Sequence, residues 1–302
     1  MSQTTKHKNP NPLIRYCLYP FLFIMMSCYA TLELNHNTED IGHYYGYYIT
    51  ALVLFLVLIE AIFPLRQQWK MSKNSFFRRD LIYMLIGAAS LLLSQYIAGL
   101  IIIQYGLTRG EALITMPVIP AVILAILIMD FIWYWVHRLS HEAQCDIGQL
   151  MWKIHIAHHL PQQVYVLMHG VAHPINAIIA RSIFTLPLFF LGFSVETVFV
   201  VNLVVGLQGL VSHFNADIRA GWMNYILVGA ELHRYHHSDD PGEAKNYGAV
   251  TPVWDLLFGT FVYHPHQPPH RLGINEPDMY PIDRNIIEVM LLPFKKTRRK
   301  HQ

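Results

Sequence analysis

Long apolar stretches without a charged side chain dominate the first 136 residues of the chain. No Asp, Glu, Lys or Arg lies between Arg15 and Glu33, between Asp40 and Glu60, between Asp80 and Arg109, or between Glu111 and Asp130. A helix needs about 20 mostly apolar residues to cross the hydrocarbon core of a bilayer. The pattern therefore predicts four membrane spans, at about 14–32, 43–63, 81–104 and 114–136.

A further apolar region covers about 177–212, with Glu196 as its only carboxylate and Gly192 near its middle. It predicts a helix pair, either two short spans or a hairpin partly immersed in the membrane. Because backbone groups in lipid must hydrogen-bond within the protein, helices are the expected form. The predicted fold class is all-α: a polytopic membrane bundle of four spans plus a later apolar helix pair, with a cytoplasmic histidine-rich helical cap.

Composition supports the membrane assignment. Hydrophobic residues make up 53 % of the 302 residues and charged residues 14 %, against about 25 % charge in soluble domains. The formal net charge is only +2, and no basic stripe with interleaved aromatics occurs outside the tail, so a nucleic-acid partner is not expected. The three cysteines lack CxxC spacing, which argues against a disulfide framework or a zinc knuckle.

Basic residues are unevenly distributed among the loops. They occur before the first span and between the second and third: Lys6, Lys8, Arg15, Arg66, Lys70, Lys73, Arg78 and Arg79. The first loop is acidic. Cytoplasmic loops carry the excess of Lys and Arg, so we expect the amino terminus, the second loop and everything after residue 136 to lie in the cytoplasm, at a bacterial inner membrane or the endoplasmic reticulum. The basic run Lys295–Lys300 fits a cytoplasmic tail near anionic lipid, or a solvated charge run.

Histidine is the anomalous residue type, with 18 copies. Three clusters have helical spacing: His137 and His141; His155, His158 and His159; and His233, His236 and His237. Offsets of three and four place side chains on one helix face, about 5–6 Å apart. Eight close imidazoles must stay neutral or repel each other unless they bind metal. Zinc favours four ligands, so eight indicate two ions, although imidazole suits iron, copper, zinc and nickel alike.

These motifs resemble the fatty acid hydroxylase superfamily, which includes sterol desaturases, sterol methyl oxidases, fatty acid 2-hydroxylases and alkylglycerol monooxygenases. The family pattern is HxxxH, HxxHH and HxxHH in that order. The resemblance covers roughly 120–262 and includes an isolated histidine, His213, before the last motif, then Asn246-Tyr247-Gly248 and the run from Trp254 to Thr260. It implies nine metal-ligating residues: His137, His141, His155, His158, His159, His213, His233, His236 and His237.

The chain departs from the family around a His-Pro pair. The family often has Arg two residues before the pair and an acid two residues after it. Here Val171 precedes His173-Pro174 and Asn176 follows, so the roles of those side chains are open. His169 and His173 form a further i,i+4 pair, which we interpret as structural or as lying behind the ligands.

The resemblance implies a function and a cofactor. Such enzymes use a non-haem di-iron centre, O2 and two electrons to hydroxylate or desaturate a lipid, here a sterol, fatty acyl or ether lipid. The sequence has no nucleotide, flavin or c-type haem motif, so electrons are expected from a partner such as a cytochrome b5, a ferredoxin or a reductase. Asp130, two helical turns before His137, is the best candidate to orient the ligands. Asp255 and Asn246 come next.

We divide the chain into N-terminal transmembrane helices at 1–110, a catalytic domain with the histidine motifs at 111–263 and a cytoplasmic tail at 264–302. Three other functions fit parts of the pattern. A haem-binding electron carrier would need histidines on separate helices. A metal transporter would place ionisable residues along its spans, which are almost devoid of them. A zinc-dependent membrane hydrolase would not need oxygen.

Overall fold

The computed structural model describes residues 11–35, 41–265 and 267–295. These residues form helices, turns and loops and no β-strand, apart from two isolated bridges between Pro64 and Ala216 and between Ser238 and Leu272. The predicted all-α class is confirmed. Of the predicted basic tail, 296–300 lies outside the described residues, and the division into three domains stays a prediction.

Within the described part of the chain, six helices are long and apolar enough to cross a membrane, judged by length and composition. They are α1 (Leu18–Leu34), which continues a π-helical turn at Leu13–Cys17, α2 (Tyr45–Ile62), α3 (Leu81–Tyr105), α4 (Val118–Glu142), α6 (Pro174–Leu191) and α7 (Val195–Ser212). Each of the four predicted spans corresponds to one helix, and the apolar pair forms two helices of 18 residues each. The chain is a multi-pass membrane protein.

Shorter helices lie between and after these six. They are α5 (Asp146–His159), α8 (Ala230–His236), α9 (Val253–Phe258) and α10 (Ile286–Leu291). Single turns occur at Lys73–Ser75, Phe76–Asp80, Gln67–Trp69, Val166–Gly170, Gly221–Tyr225, Pro277–Met279 and Leu292–Phe294. Of these short helices, α5 and α8 carry the two HxxHH motifs.

The turn between α6 and α7 is determined by two residues. Gly192 ends α6 in the left-handed region, with φ of 71°, where glycine avoids the steric cost of a Cβ atom. A Cβ atom there would also lie 2.0 Å from the carbonyl oxygen of Gly110, which precedes α4. Ser194 then caps α7, because its hydroxyl accepts a hydrogen bond from the Thr197 amide. The turn reverses the chain and returns it toward the histidines.

Contacts between distant segments define one end of the bundle. Arg15 Nε, before α1, donates to Asp217 at 2.8 Å. Near the end of α2, the Glu60 carboxylate accepts the Asn215 amide at 2.6 Å and the Val166 amide at 3.0 Å. The predicted cytoplasmic segments therefore lie together, at the end that carries the histidine motifs.

The start of α3 is held at this same end by a buried charge cluster. Arg79 is 1 % exposed and forms ion pairs with Asp80 and with Asp283 from the C-terminal segment, and a hydrogen bond with the Tyr165 hydroxyl. At the opposite end, the Glu33 carboxylate accepts the Gly42 amide. Helix α4 is central: it packs against α5, α6 and α7, so the first histidine pair lies where these helices meet.

Candidate metal centre

The structure brings together all nine histidines that the sequence singles out. His137 and His141 lie on the last two turns of α4, and His155, His158 and His159 end α5. His213 directly follows α7, and the last motif spans α8 and the next residue. Four separate segments of the chain thus place their imidazoles close together.

The nine imidazoles form two groups. In each group, one ring nitrogen per residue lies within 4.8 Å of the others. The five-histidine group contains His137, His141, His155, His159 and His236, and the four-histidine group contains His158, His213, His233 and His237. The groups adjoin, since the ring centroids of His159 and His237 are 4.6 Å apart.

Each HxxHH motif is divided between the groups. The first and last histidines of a motif enter one group and the middle histidine enters the other. On a helix, residues i and i+4 differ by about 40° in direction, whereas i+3 and i+4 differ by about 100°. The side chain of His158 therefore points away from those of His155 and His159 and belongs to the four-histidine group. The side chain of His236 likewise points away from those of His233 and His237 and belongs to the five-histidine group. Each motif thus contributes its middle histidine to the group that contains the outer two histidines of the other motif.

Hydrogen bonds at Nδ1 fix which ring nitrogen carries the proton. Carbonyl oxygens accept from four histidines: Tyr247 from His137 at 2.8 Å, Val171 from His158 at 3.0 Å, Lys245 from His236 at 3.0 Å and Gly209 from His213 at 3.2 Å. The Asn176 side-chain oxygen accepts from His155 at 3.2 Å. A carbonyl cannot donate, so Nδ1 holds the proton and Nε2 presents a lone pair.

These lone pairs face each other at short distances. The Nε2 atoms of His137 and His155 are 2.9 Å apart, and those of His158 and His213 are 3.0 Å apart. Two acceptors at this separation repel each other unless a positive charge lies close to both. In addition, the buried Nε2 of His236 has no hydrogen-bond partner among the described residues. Unpaired buried nitrogen atoms of this kind are costly.

Protonation does not supply that positive charge at neutral pH. Burial, and then the neighbouring histidines, lower the pKa of His155, His159, His233 and His237 well below the ordinary value. Burial also lowers the pKa of His158 to about 4. A desolvated imidazole resists a charge of its own, and neutral imidazoles are good metal ligands. The donor set therefore fits two metal ions.

The three predicted orienting residues lie behind the histidines and hold a loop. Asp130 is fully buried and accepts the amides of Ala249, Val250 and Thr251 at 2.6–3.2 Å. Asp255 accepts the Tyr247 amide at 2.7 Å and the Gly248 amide at 2.8 Å. Neither carboxylate touches a histidine. Both hold the 247–251 loop, whose Tyr247 carbonyl accepts a hydrogen bond from His137.

Asn246 begins the same loop. Its φ of 62° lies in the left-handed region, which asparagine tolerates better than most residues. Its side-chain amide donates to the carbonyls of Leu232 and Val262, and its oxygen accepts the Val262 amide. Asn246 thus joins α8, which carries the last histidine motif, to the segment after α9.

The departures around the His-Pro pair are explained by backbone and amide groups. The Asn176 side-chain oxygen accepts a hydrogen bond from His155, and the Val171 carbonyl accepts one from His158. Neither acceptor is a charged side chain. His173 caps α6, because its Nδ1 accepts the Ile175 amide at 3.2 Å. His169 lies against α7, where a Cβ atom at Gly209 would be 2.6 Å from its ring. Neither histidine belongs to the two groups, in keeping with a structural interpretation.

Sequence reasoning missed a polar cluster at the end of α4. The Glu142 carboxylate accepts from Lys245 Nζ at 2.8 Å, from Arg138 Nε at 2.6 Å and from the Tyr247 hydroxyl at 3.1 Å. The i,i+4 spacing of Arg138 and Glu142 was the available signal. The carbonyl acceptors have no such signal, because every residue has a carbonyl.

The comparisons with known proteins agree with this site. The fatty acid hydroxylase family model matches residues 122–260. The ornithine lipid hydroxylase of Rhizobium tropici is 30 % identical over 185 residues, which are 61 % of this chain and 53 % of that protein. Human alkylglycerol monooxygenase is 32 % identical over 139 residues, 45 % of this chain and 29 % of that protein.

A putative methylsterol monooxygenase of Dictyostelium discoideum is 27 % identical over 251 residues, 80 % of this chain and 90 % of that protein. The chain thus spans about half or less of the ornithine lipid hydroxylase and alkylglycerol monooxygenase. No solved structure matches significantly. The family match covers all nine histidines and the loop that supports them, and residues 122–260 of this chain are a fatty acid hydroxylase domain.

Proposed function

We propose that this membrane protein is a lipid hydroxylase or desaturase that binds two iron ions at the nine histidines. The observation that carries the proposal is the approach of Nε2 atoms to 2.9–3.1 Å within each group, with opposed lone pairs between His137 and His155 and between His158 and His213. The names of its relatives, a lipid hydroxylase and two monooxygenases, support oxidation as the reaction. Ornithine lipid, ether lipid, sterol and fatty acyl lipid are the candidate substrates.

The spacing of the nitrogens suits bare metal ions that each bind several imidazoles. Nitrogen atoms 2.9–3.1 Å apart can bind the same ion at metal–nitrogen bonds of about 2.1 Å. The choice of iron rests on the family match. Axial haem ligands would be roughly 4 Å apart with a macrocycle between them, so the haem alternative is disfavoured.

Bound iron would activate O2 to oxidise an unactivated C–H bond. Hydroxylation consumes O2, two electrons and two protons, and yields the alcohol and one water; desaturation yields the alkene and two waters. The protein holds the ligands in one tautomer through the carbonyls of Tyr247, Val171, Lys245 and Gly209. Burial of seven of the nine rings limits water at the centre, which protects the reaction from side products.

We further propose that the histidine end of the bundle faces the cytoplasm. Basic residues concentrate there, including Arg66, Lys70, Arg138 and Lys153, whereas the Arg109–Glu111 loop at the other end is balanced. This asymmetry follows the positive-inside rule. It would bring the centre within reach of a cytoplasmic electron donor, such as a cytochrome b5, a ferredoxin or a reductase.

Metal analysis of the purified protein tests the proposal. We expect two iron ions per chain, no haem Soret band, and product formation that requires O2. Two zinc ions with activity that persists without O2 would favour a hydrolase and reject the oxidative function.

Removal of the metal is expected to lower the thermal unfolding midpoint by more than about 5 °C, because the opposed lone pairs then repel each other. Unfolding of chelator-treated protein in detergent can be followed by tryptophan fluorescence. Addition of ferrous iron should restore the midpoint. An unchanged midpoint after complete metal removal would contradict the two-ion assignment.

The electron source gives a separate prediction. With NAD(P)H alone, the reconstituted protein is expected to give no product above background, because the sequence carries no nucleotide or flavin motif. Addition of a ferredoxin or cytochrome b5 with its reductase should start turnover, measured as oxidised lipid. Full turnover without any added protein would refute the external donor.

A further inference from the structure

A cavity of about 370 Å³ lies beside the five-histidine group. Its wall includes His141, His159 and His236 of that group and no member of the four-histidine group. The volume falls in the range of small-molecule sites, about 300–1,000 Å³. A molecule in this cavity would reach one group of the centre only.

The rest of the wall carries both signs of charge. Glu142, Asp239 and Lys245 line it, together with the uncharged polar residues Gln144, Ser238 and Asn275 and the apolar residues Trp152, Pro241, Ala244 and Ile274. Lys245 pairs with Glu142, and Asp239 pairs at 2.8 Å with Arg271, whose side chain is 76 % exposed. An acyl chain here would desolvate these groups and replace none of their hydrogen bonds, which is unfavourable. A polar ligand could form hydrogen bonds with these groups and so avoid this cost.

The cavity lies at the level where a membrane helix ends. Glu142 is the last residue of α4, which is long and apolar enough to cross the bilayer. The polar headgroup layer adjoins the hydrocarbon core on each side. The cavity is therefore at the depth of lipid head groups rather than of acyl chains.

The apolar side of the centre offers little room. A crevice lined by Trp133, Val136, Met151 and Ile179 reaches His137 and His155, but its volume is about 10 Å³. That is about the space that one water molecule needs. Of these two spaces next to the five-histidine group, only the cavity lined by Glu142, Asp239 and Lys245 is large enough for a group of several atoms.

We infer that the cavity binds a zwitterionic lipid head group, and that the C–H bond oxidised by the protein belongs to the head group. Lys245 would meet its anionic part, and Asp239 and Glu142 its cationic part. The inference rests on the proposed function and names the substrate class of the same site. In the reaction, one atom of O2 enters the head group as a hydroxyl, and the other leaves as water with two electrons from the donor protein and two protons.

Isotope labelling locates the oxidised carbon. Cells with and without the active protein are grown under ¹⁸O2, and their lipids are hydrolysed into a water-soluble head-group fraction and an apolar fraction. We expect protein-dependent label in the head-group fraction. Label in fatty acids or sterols would overturn the inference and leave the proposed function intact. No protein-dependent label in either fraction would overturn the inference. If no protein-dependent double bond appears in the lipids either, the proposed function is overturned as well.

Lipid retention by the metal-free full-length protein gives a readout without turnover. Native mass spectrometry can compare dimyristoyl phosphatidylethanolamine, which carries both charges, with dimyristoyl phosphatidylglycerol, which is only anionic. We expect preferential retention of the zwitterion, reduced about ten-fold by Asp239→Asn, since a charge-assisted contact is lost. The neighbouring Asp240→Asn, outside the cavity wall, is the matched control. Equal retention of the two lipids, or equal effects of the two substitutions, would overturn the inference.

Discussion

Replacement of His236 by glutamine is expected to remove the metal ion from the five-histidine group and to lower product formation by at least about 100-fold. His236 is fully buried, and its Nε2 faces the group without a hydrogen-bond partner among the described residues. It is also the one histidine of the last motif that belongs to the five-histidine group. Glutamine keeps a neutral polar side chain of similar size but cannot place an imidazole nitrogen at that point.

Metal content and labelled product, both measured on purified protein, test this expectation together. Iron should fall from two ions per chain to one, because the four-histidine group keeps all its members. His270→Gln is the matched control: His270 is exposed and belongs to neither group, and it should change neither quantity. A His236→Gln variant with two iron ions and undiminished product would show that His236 does not bind metal at the centre.

The division of ligands between the two groups follows from helical geometry once the helices are known. The spacing of the HxxHH motifs predicted shared helix faces, and α5 and α8 confirm that these motifs are helical over most of their length. The sequence did not assign individual histidines, because that depends on how α5 and α8 lie against each other. The exchange of His158 and His236 between the groups is therefore a result of tertiary packing.

The supporting contacts were harder to predict. Asp130 was singled out by its position two helical turns before His137, yet its partners lie 119–121 residues later in the chain. Main-chain carbonyls that receive imidazole N–H groups carry no side-chain signature at all. Glu60 was noted only as the bound of a charge-free stretch, but it is buried and accepts two distant amides, those of Asn215 and Val166. Long-range hydrogen bonds of this kind become visible only in the folded chain.

The apolar pattern predicted the spanning helices well for a physical reason. A segment that crosses lipid must be long enough to span the hydrocarbon core, and its backbone groups must hydrogen-bond within the protein. A helix meets both conditions with one continuous stretch of chain. The six helices therefore follow from composition, whereas the arrangement of α5, α8 and α9 follows from specific contacts. The proposed metal centre lies in these short helices and at the adjoining end of α4, where the sequence predicted the histidines but not the contacts that support them.

Substitution of Asp130 by asparagine is expected to weaken iron binding by about 10- to 100-fold, the range known for residues that orient metal ligands. The carboxylate accepts three amides from the 249–251 segment. Asparagine retains one acceptor oxygen and turns an NH2 group toward backbone N–H groups, which leaves buried donors unsatisfied at a cost of about 1–3 kcal/mol each. The loop should shift, and with it the Tyr247 carbonyl that fixes the tautomer of His137.

A structural role alone would lower stability without this effect on the metal, so the iron dissociation constant is measured at a temperature where the variant is fully folded. Glu33→Gln is the matched control, because Glu33 is also buried and accepts a backbone amide, but it lies at the end of α1 away from the histidines. It should lower the unfolding midpoint and leave iron affinity unchanged. If Asp130→Asn likewise lowers only the midpoint, then the 247–251 loop does not position the ligands, and His137 is held in place by other contacts.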